Sequence, residues 1–193
     1  MKFRLFVVAV VVAMTGLTAH AQVGLYFNPV ISRISNSVAD SGPFAFLGQN
    51  EKSQIFGGVD FGGYWEFKHL ASADVSIDMR DTIQHGDSSS INSFLMGLRL
   101  SAKPLKFSMK PYVELGVGDG RTRAALSIVH VNKFEYNVMG GIDRPLNKHI
   151  DWRVVEVGYG TVKTMSSEIY GGPVTIPAAK LLNFSTGFVF RIR

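Results

Sequence analysis

The sequence predicts an all-β protein: an eight-stranded antiparallel up-and-down transmembrane β-barrel behind a cleaved N-terminal signal peptide. Three observations predict it. The chain after the signal divides into eight long segments in which apolar and polar residues alternate, the mark of strands whose two faces meet different surroundings. The connections between them are long and short in turn, as in a barrel with external loops at one end and tight turns at the other. The last segment, Leu181 to Arg193, reads as a strand reaching the end of the sequence, where such a barrel would close on its first strand.

The N-terminus comes first. Lys2 and Arg4 precede a ten-residue apolar run from Leu5 to Met14, followed by Gly16 and the small-residue site Ala19-His20-Ala21. A basic start, a short apolar core and a small-residue cleavage site define a secretory signal over residues 1–21, with cleavage before Gln22. As a membrane helix the run falls short of the roughly 18 apolar residues needed. Removing 21 of 193 residues leaves 172, which suits one domain, residues 22–193, and loss of Lys2 and Arg4 lowers the formal charge from +5 to +3. No Lys/Arg cluster supports a nucleic-acid partner. There is no cysteine, so neither disulfides nor a lipid-anchored N-terminus are expected. Charged residues make up only 18% of the chain and glycines number 20, which suits barrel strands better than a water-covered globule.

Turn signals place the strands at about 22–34, 53–67, 72–84, 91–103, 108–120, 131–143, 150–163 and 178–192. These are far longer than the strands of about 5 to 6 residues usual in globular proteins, and long enough to cross a bilayer, which takes about 9 to 11. In the first, Pro29 removes a ladder hydrogen bond, which predicts a bulge or local bend. In the second, Ile55, Val59, Phe61, Trp65 and Phe67 oppose Asp60, Gly62 and Glu66. The third alternates most cleanly, with Ala73, Val75, Ile77, Met79 and Ile83 against Asp74, Ser76, Asp78, Arg80, Thr82 and Gln84; Asp81 is its one misfit. In the fourth, Phe94, Met96, Leu98 and Leu100 oppose Ser93, Gly97, Arg99 and Ser101. The fifth sets Val113, Leu115 and Val117 against Glu114, Gly116 and Gly118, and the seventh Val155, Val157 and Tyr159 against Glu156, Gly158 and Gly160, but Tyr112 and Val154 fall on the polar side. In the eighth, Leu182, Phe184, Phe188, Phe190 and Ile192 oppose Asn183, Ser185, Gly187 and Arg191.

The long connections are Ser35 to Lys52, His85 to Ser90, Arg121 to His130 and Thr164 to Pro177; the short ones lie around Lys68 to Ala71, Pro104 to Phe107 and Arg144 to His149. Alternation alone does not say which face points inward, since a soluble lipocalin-like barrel that binds an apolar ligand has the same period with its apolar face inside. The polar face is mostly Gly, Ser, Asn and isolated charges rather than the Lys and Glu of a solvated surface. Small residues fit the crowded lumen of eight strands, so the polar face is expected inside and the apolar one toward lipid.

With these features in place, the chain resembles the small bacterial outer-membrane β-barrels of the OmpA and OmpX type over its whole mature length. The most specific carrier is Phe184-Ser185-Thr186-Gly187-Phe188-Val189-Phe190-Arg191-Ile192-Arg193, which looks like the closing strand read by the barrel-assembly machinery. Such strands typically end in an aromatic residue, whereas this one ends in Ile192 and Arg193. The resemblance implies a monomer in the outer membrane with no cofactor, whose partners are outer-membrane lipids, lipopolysaccharide and, during insertion, the assembly machinery. The group includes structural proteins, adhesins, small channels and a few enzymes, so it speaks to fold far more than to function.

The candidate functional residues are the lumen charges Asp60, Glu66, Asp74, Asp78, Arg80, Arg99, Glu114, Glu135, Glu156 and Arg191. Buried charges need partners or water, so these predict a network of ion pairs that fills the lumen; a conducting path is the alternative, and eight strands leave room only for a small or gated one. On the closing strand, Phe184, Phe188, Phe190 and Ile192 are expected to face lipid. Trp65 and Trp152 fall near the predicted periplasmic ends, with Tyr26, Phe27 and Tyr112 at a similar level, and read as an interface girdle. Core filling is the rival reading, above all for Trp152 and Tyr112, whose parity is wrong for lipid.

Gly116, Gly118 and Gly120 lie on one face of a strand and open no helix, so close backbone packing explains them better than phosphate binding. His85 beside Asp87, Ser88, Ser89 and Ser90, and Ser127 before His130, raise catalysis only by proximity in sequence, and such residues are ordinary turn chemistry. No spacing points to a metal. The first loop carries Pro43-Phe44-Ala45-Phe46-Leu47, which reads equally as a contact surface for a partner and as a segment that folds back to cap the barrel mouth.

Overall fold

The computed structural model describes residues 22–40, 45–87, 89–123, 131–164 and 178–192; the signal segment 1–21 lies outside them. Eight strands form one closed antiparallel barrel in chain order: β1 (Gln22–Ser35), β2 (Ser53–His69), β3 (Ala73–His85), β4 (Ser90–Ala102), β5 (Lys110–Arg123), β6 (Val131–Pro145), β7 (Ile150–Val162) and β8 (Ala179–Ile192), with β8 pairing back onto β1. The strands run for 13 to 17 residues, and closure gives each a partner on both sides, so the sheet has no free edge.

The alternation resolves into an inside and an outside. Leu98 is 59% exposed and Phe134 68% exposed, whereas Arg153 and Asn28 are 0% exposed. Apolar side chains thus coat the outer surface and polar ones fill the lumen, the reverse of a lipocalin-like barrel. Phe184, Phe188, Phe190 and Ile192 all lie on the outer surface.

Glycines let so narrow a sheet curl. A Cβ on Gly118 would lie 1.9 Å from the Phe94 carbonyl oxygen of the adjacent strand, and one on Gly120 2.4 Å from Glu135 Oε2. Two of the three glycines that mimic a phosphate loop are therefore sites of close approach, while Gly116 has ordinary clearance.

Two bulges modify the alternation. In β2 the register against β3 shifts between Glu66 and Lys68. In β7 one extra residue stands against both neighbours, since Asp143 pairs with Arg153 but Ile142 with Val155, and Gly187 with Arg153 but Ser185 with Glu156. The bulge at Val154 reverses parity below it. Trp152, read as an interface aromatic against the parity of its strand, consequently points outward and is 37% exposed, while Asp151 and Arg153 turn into the lumen. The bulge or bend expected at Pro29 is absent as a register shift. Asn28, Pro29 and Val30 pair without a break with Asp60, Val59 and Gly58, and the register against β8 is the same on either side, Phe27 with Phe188 and Val30 with Ser185. The missing donor is accommodated by leaving Asn28 and Pro29 unpaired on the β8 side alone.

Candidate functional site

The lumen is built around Glu156 of β7. Arg80 of β3 grips it through both terminal nitrogens, Nη2 donating to Oε2 at 2.8 Å and Nη1 contacting Oε1. Arg153 Nη1 donates to the same carboxylate at 3.2 Å, the Ser185 hydroxyl at 3.0 Å, and the Tyr112 hydroxyl completes the set. From this hub the pairs run in both directions. Arg80 Nη1 reaches Asp60 of β2 at 3.1 Å and its Nη2 lies 3.4 Å from Glu114 of β5. Arg153 Nε donates to Asp143 of β6 at 3.1 Å, and Arg99 Nη2 of β4 to the other oxygen of Asp143 at 2.5 Å. One chain, Asp60–Arg80–Glu156–Arg153–Asp143–Arg99, so links five strands across the barrel. Each charge is desolvated by the wall and stabilised by its neighbours, as buried ions require.

Tyrosines complete the packing. Arg99 has Nε and Nη1 without an acceptor, but its Cζ lies 3.8 Å from the Tyr112 ring centroid and 4.4 Å from that of Tyr64. Arg153 sits likewise between Tyr26 at 4.6 Å and Tyr112 at 5.0 Å. The ring faces supply the attraction that missing acceptors do not. Each tyrosine lies across a glycine of the adjacent strand, in the pairs Tyr64 with Gly24, Tyr26 with Gly62 and Tyr112 with Gly141. A Cβ on Gly24 would fall 2.4 Å from the Tyr64 ring, and one on Gly62 or Gly141 2.5 Å from the hydroxyl of its partner. Tyr26, whose hydroxyl donates to Asp78 at 2.6 Å, and Tyr112 thus fill the lumen and take no part in an interface girdle.

The remaining candidates lie toward the two ends. Glu135 is buried and accepts from the Ser93 hydroxyl at 2.6 Å. Arg191 pairs with Asp151 at 2.8 Å and donates to the Asn147 carbonyl at the β6–β7 turn. Glu66 is buried near the end where the short turns lie, and Asp74 sits at that rim, half-buried, between His69 at 2.7 Å and Lys103 at 2.5 Å. Ligand atoms of Glu66, His69 and Asp74 come within 4.8 Å of one another. The Lys103 ammonium holds the same Asp74 oxygen as His69, which leaves a poor cation site. Trp65 is half-buried beside Phe67, with ring centroids 5.9 Å apart.

At the opposite mouth the first loop folds inward. Phe46 and Leu47 pack with Ile34, Phe56, Ile91, Val162, Ala179 and Leu181, and the Phe46 ring stacks on Phe56 at 5.3 Å. The Leu47 amide donates to Asp40 at 3.0 Å, and the Ser89 hydroxyl to the Phe46 carbonyl at 2.9 Å. Phe46 and Leu47 therefore cap the mouth, while Pro43 and Phe44 lie outside the described residues. Ser89 serves that cap while His85 is exposed; Ser88, Ser127 and His130 lie outside the described residues.

Three charged groups of the network, Asp143, Asp151 and Arg153, were not among the expected lumen residues. Asp143 shares the parity of Glu135 and was detectable from it. Asp151 and Arg153 were hidden by the Val154 bulge.

No family model matches the sequence, and no curated protein matches it in sequence. The fold does have relatives among solved structures. Neisserial surface protein A superposes with a TM-score of 0.62 at 10% identity, over 89% of this chain and 99% of that one. Ail, the attachment invasion locus protein of Yersinia pestis, gives 0.55 at 11% identity, over 90% and 100%. Ail bound to the heparin analogue sucrose octasulfate gives 0.53 at 12% identity, again over 90% and 100%. The fold is that of the small eight-stranded bacterial outer-membrane barrels.

Proposed function

We propose that the protein is an integral, monomeric barrel of a bacterial outer membrane with a structural or surface-interaction role, non-catalytic, its lumen closed by the charged network and the apolar cap. The observation that carries this reading is the inverted polarity of the wall: a full belt of exposed Leu, Val, Phe and Tyr outside, with Arg153, Glu114 and Glu135 buried inside. A contiguous apolar belt of that size is unstable in water and matches the lipid-facing band of a membrane barrel. The partners that follow are membrane lipids and lipopolysaccharide around the belt, and the barrel-assembly machinery during insertion.

The reading is tested by expressing the full chain in a Gram-negative host and separating the membranes. The protein is expected in the outer-membrane fraction, truncated at Gln22, migrating faster on gels before heating than after. Recovery of the mature chain as a soluble periplasmic protein would end the proposal. The closed lumen has its own test, since purified folded protein in planar bilayers is expected to give no discrete conductance.

A further inference from the structure

The buried charges of the barrel do not balance. Among the described residues, eight buried carboxylates on the strands face four buried guanidiniums. Most of the acids have a cation at hand in the network above. Glu135 has none among the described residues: it is 1% exposed, and its hydrogen bond within them comes from Ser93 at 2.6 Å. An ionised carboxylate left this way in a low-dielectric interior is very costly.

A cavity opens beside it, between the charged network and the apolar cap, lined by Glu135, Ser93, Asn137 and Asn183 among others. It has room for about one water-sized occupant. Asn137 is 2% exposed, and its Oδ1 accepts no hydrogen bond; the Oδ1 of Asn183 is likewise buried and without a donor. The two asparagines stand on β6 and β8 with glycines of β7 between them, in the pairs Asn137 with Gly160 and Asn183 with Gly158. A Cβ on Gly158 would lie 3.1 Å from Asn137 Oδ1, so the bare backbone there keeps the space open. One carboxylate, one hydroxyl oxygen and two donor-free carboxamide oxygens make a hard, singly negative site. Asp60 and Glu156 also line the cavity, but they belong to the chain in which Arg80, Arg153 and Arg99 face Asp60, Glu156 and Asp143 one for one, so the one unpaired charge of Glu135 suits a monovalent ion; divalent sites normally recruit more carboxylates.

We propose that this chamber binds one hard monovalent cation, of the sodium or potassium class, held by Glu135 with the side-chain oxygens of Ser93, Asn137 and Asn183. The site lies between the charged network and the apolar cap, and an ion present while the barrel folds can load it. It depends on the fold and not on the closed-lumen reading: a current through the barrel would overturn that reading and leave the site standing.

The test folds the mature chain into detergent micelles from urea with thallium(I) acetate as the sole monovalent salt, crystallises it, and maps anomalous scattering. An anomalous peak in contact with Glu135 and Asn137 is expected, lost in Glu135→Gln while that variant keeps its heat-modifiable mobility. If Glu135→Gln does not fold, Asn137→Leu takes its place with the same expectation. In solution, wild type is expected to resist urea better in sodium than in choline chloride at equal ionic strength, with the folding equilibrium shifted about tenfold at a cation concentration ten times its Kd. Absence of the peak from the folded wild type, as for a Glu135 that carries its own proton, overturns the proposal, and so does a peak that persists in Glu135→Gln.

Discussion

The mouth and the middle of this barrel are filled by opposite chemistries. At the mouth, Phe46 and Leu47 from the first loop meet apolar side chains from several strands; in the middle, Arg80, Arg99 and Arg153 meet Asp60, Asp143 and Glu156. The apolar plug is a set of contacts that each contribute separately, because burying methyl and ring carbon needs no particular partner. The charged middle is a connected object in which the loss of one member strands another in low dielectric. Substitutions of similar size should therefore have unequal consequences at the two levels.

The largest effect is expected at the hub. Glu156→Ala leaves Arg80 and Arg153 each short of a carboxylate and should cost about 3 to 5 kcal/mol, as breaking buried ion pairs does. Urea titration followed by tryptophan emission and by gel mobility measures it, and a cost below that expected at the mouth would erase the distinction drawn here. Next comes Phe46→Ala, which should cost about 3 kcal/mol, the low end for a buried phenylalanine because the loop can readjust. This variant should still pass no current in planar bilayers, since the arginine chain beneath the cap is untouched; a discrete conductance would move the barrier to the mouth. The smallest effect falls on the scaffold of the network. Gly62→Ala places a Cβ 2.5 Å from the Tyr26 hydroxyl and 2.3 Å from the Met79 carbonyl, and should cost about 1 to 3 kcal/mol by overpacking.

The same two levels differ in how openly the sequence displays them. All eight strands were legible because alternation over more than ten residues has few other readings, and strands β2 to β4 showed their inward charges with Asp81 as the one misfit. The polarity of the wall was legible from the small residues on the polar face. What escaped detection was local. A single extra residue at Val154 reversed the parity of Asp151, Trp152 and Arg153, and a bulge of this kind has no signature in composition. Tyr26 and Tyr112 were ambiguous because an aromatic with a hydroxyl suits both an interface and a polar core; the glycine on the neighbouring strand that admits each ring becomes visible only when the register is known. The inward fold of Phe46 was one of two equal readings, since an apolar loop segment looks the same whether it meets its own barrel or a partner.

Everything rests on the outer face being the lipid face, and the lack of cysteine in the chain gives clean access to it. Leu98→Cys, carrying a nitroxide on the folded barrel in phospholipid vesicles, can be measured for collision with oxygen and with a water-soluble nickel complex. A membrane barrel of this polarity predicts high oxygen and low nickel accessibility at residue 98. High nickel accessibility with low oxygen there would contradict it.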